Sequence, residues 1–390
     1  MKLLLILGLL LSQSVWATKD IHEGLLRVKA GDKDLRFSGY FDGYYAHDFS
    51  NPVNGGEDLE ESWSDSCAGG NCNSNLAGRQ YTSNPLYDRQ FGVGYGFFQV
   101  DFEHKDVGFR LAYHFGDIVQ KMYLEETERL KDIREASASF LLSDNLKLEA
   151  GLMPSIFGFE TFINKENMHA TRSYMNDFAP DFEAGLRLYW TKSEHEVVKF
   201  QVTNGWQVYR DKNKEKALGL AYVYDRPKAL LFNWGMFFGD ESPIGVKTSY
   251  RFYNNIFAKI HLHDKWVLAP VLDLGWQQEL TNKKKPWTPW QSYGVSLRYA
   301  LTTKLGLAAR YDRTDDPHTI IPELKTNPPT PNGWSSNGYT LTYEYLYNSS
   351  STFRLEGRYV KSRDAIFKTN DEGELSDEDS FVSSSLAYSF

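Results

Sequence analysis

Apolar and polar residues alternate along many short segments of this chain. In the clearest segment one face carries Trp266, Leu268, Pro270, Leu272, Leu274 and Trp276, and the opposite face carries Asp273, Gly275 and Gln277. An alternation with a period of two residues is typical of a β-strand that has one apolar and one polar face. Soluble β-sandwiches alternate in the same way, so this pattern alone predicts an all-β protein and nothing more specific.

The breaks between these segments alternate between long and short without exception. The long breaks cover 48–89, 115–132, 154–180, 209–216, 239–249, 279–289, 313–336 and 362–378, with a short break between each pair. A transmembrane antiparallel β-barrel, with long loops on one side and tight turns on the other, produces this order, whereas Greek-key sandwiches do not. We therefore predict a barrel of about sixteen strands with both termini on the periplasmic, turn side. Shifted boundaries would give about fourteen or eighteen strands.

The first residues are typical of a secretory signal peptide. Lys2 precedes an apolar run that is too short to anchor the chain in a membrane, and small residues follow up to Ala17. We expect a signal peptide over 1–17, a short periplasmic segment over 18–34, and a barrel with long extracellular loops over 35–390.

The chain has two cysteines, Cys67 and Cys72. Adjacent glycines between them let the chain close on itself, and disulfides persist outside the cytoplasm. We therefore expect a small-loop disulfide. A metal site is disfavoured, because two further ligands are not at hand.

The formal net charge is −8 at pH 7. A nucleic-acid-binding protein would need a basic stripe, so we expect no nucleic-acid partner. A bundle of membrane helices is also excluded, because no apolar run after the leader approaches the roughly 20 residues that each span needs. Acidic runs at 57–65 and 371–379 predict a solvated rim, and divalent-cation bridging to surface lipid is the alternative.

A barrel of about sixteen strands is wide enough to enclose an aqueous channel. The alternation places basic and acidic residues in similar numbers on the inward faces, which predicts no strong charge selectivity. The pore-lining candidates are Arg36, Asp42, Arg110, Glu149, Arg187, Arg298, Arg310, Asp312, Arg354, Glu356 and Arg358.

Aromatic residues cluster near predicted strand ends, as at Tyr44 with Tyr45 and at Trp287 with Trp290. Such positions suit the aromatic girdles of membrane barrels. The chain ends on Phe390, which resembles the C-terminal aromatic signal of bacterial outer-membrane barrels. This resemblance implies an interaction with the outer-membrane assembly machinery.

Several segments resemble the OmpL-like β-barrel porin family. These segments run from Gly39 to Tyr45, Asn84 to Tyr87, Met153 to Glu160, Thr171 to Met175, Glu183 to Arg187 and Asn204 to Gln207. The resemblance extends over nearly the whole chain after the leader. It implies a porin-like fold in the bacterial outer membrane and says little about the solute.

The connection after Pro154 is the third on the long side. By resemblance to general porins, we expect this connection to fold inward and narrow the pore. Its candidates for the constriction are Glu160, Glu166, Arg172 and Asp177. An outer loop packed on its neighbours is an equal alternative.

These features predict a porin, set in outer-membrane lipid, that passes small hydrophilic solutes by passive diffusion without a cofactor. A surface adhesin or receptor barrel that acts through its long loops is the alternative, and association into a homo-oligomer stays open. We expect no enzymatic activity, because the Asp315 to His318 segment lies in a loop with little support for a catalytic pair. His261 and His263 lie together at a tight turn, where solvated residues are expected instead of a metal pair.

Overall fold

A computed structural model describes residues 26–50, 79, 81–123, 126–127, 129–211, 213–242, 248–278, 286–321, 330–369 and 375–390. The predicted signal peptide over 1–17 and the predicted disulfide between Cys67 and Cys72 lie outside these residues. Both therefore stay predictions.

The secondary structure is almost entirely β-strand. The strands are β1 (Leu26–Ala30), β2 (Lys33–Asp48), β3 (Phe91–His104), β4 (Val107–Phe115), β5 (Ile133–Ser143), β6 (Leu146–Pro154), β7 (Phe182–Ser193), β8 (Glu196–Thr203), β9 (Ala217–Arg226), β10 (Leu230–Asp240), β11 (Tyr250–His263), β12 (Trp266–Gln278), β13 (Trp287–Ala300), β14 (Leu305–Asp316), β15 (Trp334–Leu346), β16 (Ser351–Ser362), β17 (Phe367–Lys368), β18 (Leu375–Ser376) and β19 (Glu378–Ser389). Two short helices, α1 (Asp117–Met122) and α2 (Tyr174–Asp177), and a 3-10 turn (Asn164–Glu166) lie in the connections. No helix in the described part of the chain is long and apolar enough to cross a membrane.

A closed ring of 16 strands is formed by β2 to β16 together with β19. Each strand pairs antiparallel with its neighbour along the chain, and β19 closes the ring by pairing with β2. All backbone polar groups within such a ring can pair with each other, which membrane-spanning strands require. The predicted antiparallel barrel is confirmed. Below, its two ends are called the loop end, where the long connections lie, and the turn end, where the tight turns lie.

The faces of the strands are those of a membrane barrel rather than of a soluble protein. On β15, Leu341 is 63% exposed on the outer face, whereas its neighbours Thr340 and Thr342 are 4% and 0% exposed on the inner face. Large apolar side chains are thus outside and polar side chains inside, as lipid outside and water inside would require.

Two of the predicted girdle residues point inward. Tyr44 and Trp290 are each 5% exposed. Their partners in the predicted girdle, Tyr45 and Trp287, are 36% and 44% exposed on the outer face. The reason is the strand period, because side chains on adjacent or third-neighbour positions take opposite faces. Only one member of each aromatic pair can therefore face lipid.

The seam between β2 and β19 is fastened at both ends. At the turn end, Phe390 and Gly39 exchange two backbone hydrogen bonds of 3.0 Å. The Phe390 ring rests directly on Gly39, so a side chain at this position would displace the ring. At the loop end, buried Arg79 donates to Asp48 and Asp379, both at 2.5 Å.

Candidate functional site

The long connection between β6 and β7 folds into the barrel, and residues 155–181 are called the inward loop. Its main chain lies against the inner faces of β14 to β16, about half-way round the ring from its own root. Arg310 donates to the carbonyl of Thr171 and Arg354 donates to the carbonyl of Asn167, both at 2.8 Å. These contacts with the opposite wall place the loop inside the lumen.

Glu356 of β16 binds the same part of the inward loop. Its carboxylate accepts the backbone N–H groups of Ala170 at 2.7 Å and Thr171 at 3.0 Å, and the hydroxyl of Thr342 at 2.6 Å. The residue is 1% exposed, and a hydrogen bond to a charged group is worth about 1.5–3 kcal/mol. The wall thus recognises the loop largely through its backbone.

Two ionisable residues of the inward loop are buried against this wall. Glu160 accepts a 2.5 Å bond from Arg310 and two bonds from Ser173, at 2.7 and 2.6 Å. Burial opposes its ionisation, but the Arg310 guanidinium and the Ser173 bonds outweigh burial and lower the pKa of Glu160. For His169, burial and three nearby guanidinium groups all lower the pKa, to well below its usual range. The loop is therefore held by an ionised Glu160 and a neutral His169.

The returning half of the inward loop is fixed near the loop end. Asp177 accepts a 2.6 Å bond from the hydroxyl of Ser83, which precedes β3. Arg172 lies 2.9 Å from Asp181, at the end of the loop. Burial raises the pKa of Asp181 to about 7, and Arg172 offsets this rise only in part. Arg172 and Asp177 thus hold the loop in place.

The inward loop also covers an apolar part of the wall. Phe157 packs edge-on against Phe237 and Tyr253, with ring centroids 6.2 and 5.8 Å apart. Phe159 lies 5.4 Å from Phe257 by the same measure. Because these three wall residues belong to β10 and β11, the loop fills the lumen from these strands round to β16.

An open space lies between the inward loop and β3 to β8, and about 150 Å³ of it is accessible to the centres of water molecules. Tyr123 and Asp181 line it near the loop end, and Glu103 and Lys147 line it near the turn end. The space therefore runs along the barrel instead of forming a pocket in its middle. Its charged lining residues are Asp101, Glu103, Arg110, Arg134, Glu135, Lys147, Glu149, Glu160, Glu166, Asp181, Arg187 and Lys199.

Acidic residues position a basic side chain on the wall of the open space. Arg110 donates to Asp101 at 2.5 Å and to Glu135 at 3.1 Å. The Arg110 side chain is 19% exposed, whereas those of Asp101 and Glu135 are 10% and 2% exposed. The guanidinium group is therefore nearer to the water than the carboxylates that hold it.

The structure divides the predicted pore-lining residues into three groups. The open space is lined by Arg110, Glu149 and Arg187. Near the turn end, Arg36 and Arg298 form ion pairs with Glu103 and Glu344. The remaining six are buried under or beside the inward loop, and these are Asp42, Arg310, Asp312, Arg354, Glu356 and Arg358. The alternation predicts which face a residue takes, but it does not show which part of that face a loop covers.

The predicted constriction residues also separate. Glu160 and Glu166 line the open space, whereas Arg172 and Asp177 lie in the packed part of the loop. Sequence reasoning missed Arg134, which also lines the space. Arg134 lies at a register shift between β4 and β5, where a period-of-two count fails.

The other sequence candidates have structural partners. Asp315 accepts a 2.8 Å bond from Arg313, and Asp316 accepts the backbone N–H of Ile321 at 2.8 Å. Within the described ranges, no group of three or more His, Cys, Asp or Glu side chains is arranged to hold a metal ion. The lumen and its inward loop are thus the candidate site.

The sequence model of a family described as "Putative beta-barrel porin-2, OmpL-like" matches residues 34–390. No curated protein matches the sequence. Among solved structures, the chain is similar to an anion-selective porin from Comamonas acidovorans, with a TM-score of 0.57, 11% identity, and 92% of this chain and 100% of that chain covered. It is similar to the outer membrane channel DcaP of Acinetobacter baumannii, with a TM-score of 0.56, 10% identity, and 94% and 100% covered. It is also similar to the trimer form of OmpT of Vibrio cholerae, with a TM-score of 0.53, 11% identity, and 92% of this chain and 99% of that chain covered. At such identities the likeness to these structures is one of fold.

Proposed function

The chain belongs to the OmpL-like β-barrel porin-2 family of the bacterial outer membrane, and we propose that small hydrophilic solutes diffuse passively through its lumen. The observation that carries this proposal is the open space that runs between the inward loop and β3 to β8. Its lining is rich in charged and hydroxyl groups, which can replace part of the hydration shell of a polar solute.

The inward loop would set the size limit of this passage. It fills the lumen on the side of β10 to β16, so a solute has only the remaining part of the cross-section. Arg110, Glu149, Arg187 and Glu166 are the residues that we propose as lining the path. Because basic and acidic groups are mixed along it, we expect orientation of dipolar solutes and only weak selectivity for charge.

We further propose that the turn end faces the periplasm and that the apolar outer surface contacts outer-membrane lipid. Phe390 would then be presented to the assembly machinery from the periplasmic side. The Vibrio cholerae OmpT, which has a similar fold, is described in a trimer form, and an assembly of several copies is compatible with the closed ring of each chain.

Solute flux into liposomes tests the proposal. Ser139 lines the open space and its neighbour Ala138 lies on the outer face of β5. Ser139→Trp should slow liposome swelling in sugars and amino acids, most strongly for the largest solutes. Liposomes that contain Ala138→Trp should swell as fast as those that contain the unmodified protein. Swelling that is absent, or equal in both variants, would contradict a path through this space and would favour the adhesin or receptor alternative.

A further inference from the structure

The tip of the inward loop reaches the turn end of the barrel. Lys165 donates to the carbonyl of Ser349 at 2.5 Å and to the hydroxyl of Ser389 at 2.6 Å. Ser349 lies in the tight turn between β15 and β16, and Ser389 is the last residue of β19. The loop begins after Pro154, at the opposite end of the barrel, so its tip has crossed the full height of the lumen.

Other contacts agree with this depth. Arg354, close to the turn end of β16, donates to the carbonyl of Asn167 at 2.8 Å. Met168 packs against Val267, which is the second residue of β12 and therefore also lies near the turn end. The loop returns to the loop end at Asp177. Since β6, from whose end the loop starts, has 9 residues, this descent covers about 30 Å of strand at roughly 3.3 Å per residue.

Glu166 follows Lys165 in the 3-10 turn at the tip and lines the open space. Glu103 and Lys147, which line the same space, lie at the turn ends of β3 and β6. Lys165 is fixed against the rim, and Glu166 beside it lines the open space, so the tip of the inward loop borders this space from the turn end.

We propose that the narrow part of the passage extends to the exit at the turn end, and that Glu166 contributes a weak selectivity against anionic solutes there. Lys165 is the positioning residue, because its two bonds to the rim hold the tip that carries Glu166. This inference rests on the proposed function for its transport consequence, but the position of the tip can be tested without transport.

Thiol labelling tests the position of the tip. In a background with Cys67→Ser and Cys72→Ser, Glu166→Cys is compared with Lys304→Cys in a turn and His318→Cys in a long loop, using a maleimide on a polyethylene glycol too large to cross the barrel. On intact cells only His318→Cys should react, and in opened outer membranes all three should react. If Lys304→Cys reacted on intact cells, the orientation in the proposed function would be wrong. If Lys304→Cys reacted in opened outer membranes and Glu166→Cys did not, the tip would not lie at the exit.

Reversal potentials across planar bilayers in asymmetric KCl test the roles of the two residues. Glu166→Gln should shift permeability towards chloride. Lys165→Gln should shift it in the same direction, because release of the tip removes Glu166 from the exit, although loss of a positive charge by itself would favour potassium. Lys304→Gln removes a lysine that donates to the same turn, at Tyr347, and should leave the potential unchanged. A shift of Lys165→Gln towards potassium, or no shift, would overturn the positioning role.

Discussion

Replacing Glu356 by glutamine should loosen the inward loop from the barrel wall. One carboxylate oxygen accepts from Ala170 N and Thr342 Oγ1, and the other accepts from Thr171 N and Thr171 Oγ1. An amide has only one acceptor oxygen, so either orientation leaves a buried backbone N–H without an acceptor, at a cost of about 1–3 kcal/mol. The substitution also removes the negative charge beside the wall arginines.

At about 1.4 kcal/mol for each tenfold change, a loss of about 1–3 kcal/mol raises the population of the undocked loop by roughly one to two orders of magnitude. Single-channel recording should therefore show more frequent excursions to higher conductance in Glu356→Gln than in the unmodified protein. Glu196→Gln is the control, because that carboxylate lies on the outer side with Tyr222 and Ser193. Equal conductance and equal open-channel noise in all three proteins would refute the view that Glu356 fastens the loop.

Three further outcomes follow from other parts of the structure. Trp334 is fully buried among four rings from three connections, so Trp334→Ala should cost about 3–5 kcal/mol. It should lower the temperature at which the folded band is lost in gels, whereas Trp287→Ala on the outer face should change this temperature little. Arg79→Gln leaves two buried carboxylates unpaired at the seam, which should cost about 3–5 kcal/mol of stability. The same gel assay should show a lower temperature for loss of the folded band, and an unchanged temperature would contradict the role of Arg79 in fastening the seam. Asp181 is neutral below its pKa and ionised above it, so permeability should shift towards cations as the pH rises through about 7, and Asp181→Asn should reduce that shift.

The barrel could be predicted because the alternation of faces is a local property of a strand. For β12, the sequence correctly predicts the bounds and the faces from Trp266 onward. The end of β8 is predicted less well. The strand ends at Thr203 and not near residue 209, because Gly205 takes a positive φ of 146° and Asn204 turns back to bond the carbonyl of Tyr209 at 2.8 Å.

The place of the inward loop could be suggested only by resemblance. Its contacts join residues far apart in sequence, such as Ala170 and Glu356, which are 186 positions apart. Many of them also run through backbone N–H and carbonyl groups, which every residue except proline carries. The sequence therefore shows the charged residues Arg354, Glu356 and Arg358 on an inward face, but not that a main chain covers them.

Attachment through the backbone separates holding the loop from filtering solutes. The wall residues Arg310, Arg354 and Glu356 bind main-chain groups of the loop. Among the acidic loop side chains that line the open space, Glu160 also bonds Arg310, whereas Glu166 is not needed for these bonds. Glu166 can therefore be replaced with a change in selectivity while the loop stays docked, whereas replacement of Glu356 changes docking. Glu166→Gln and Glu356→Gln should consequently differ in recordings, the first shifting the reversal potential at constant open-channel noise and the second raising the noise. If both variants changed the noise equally, holding and filtering would not be separable in this barrel.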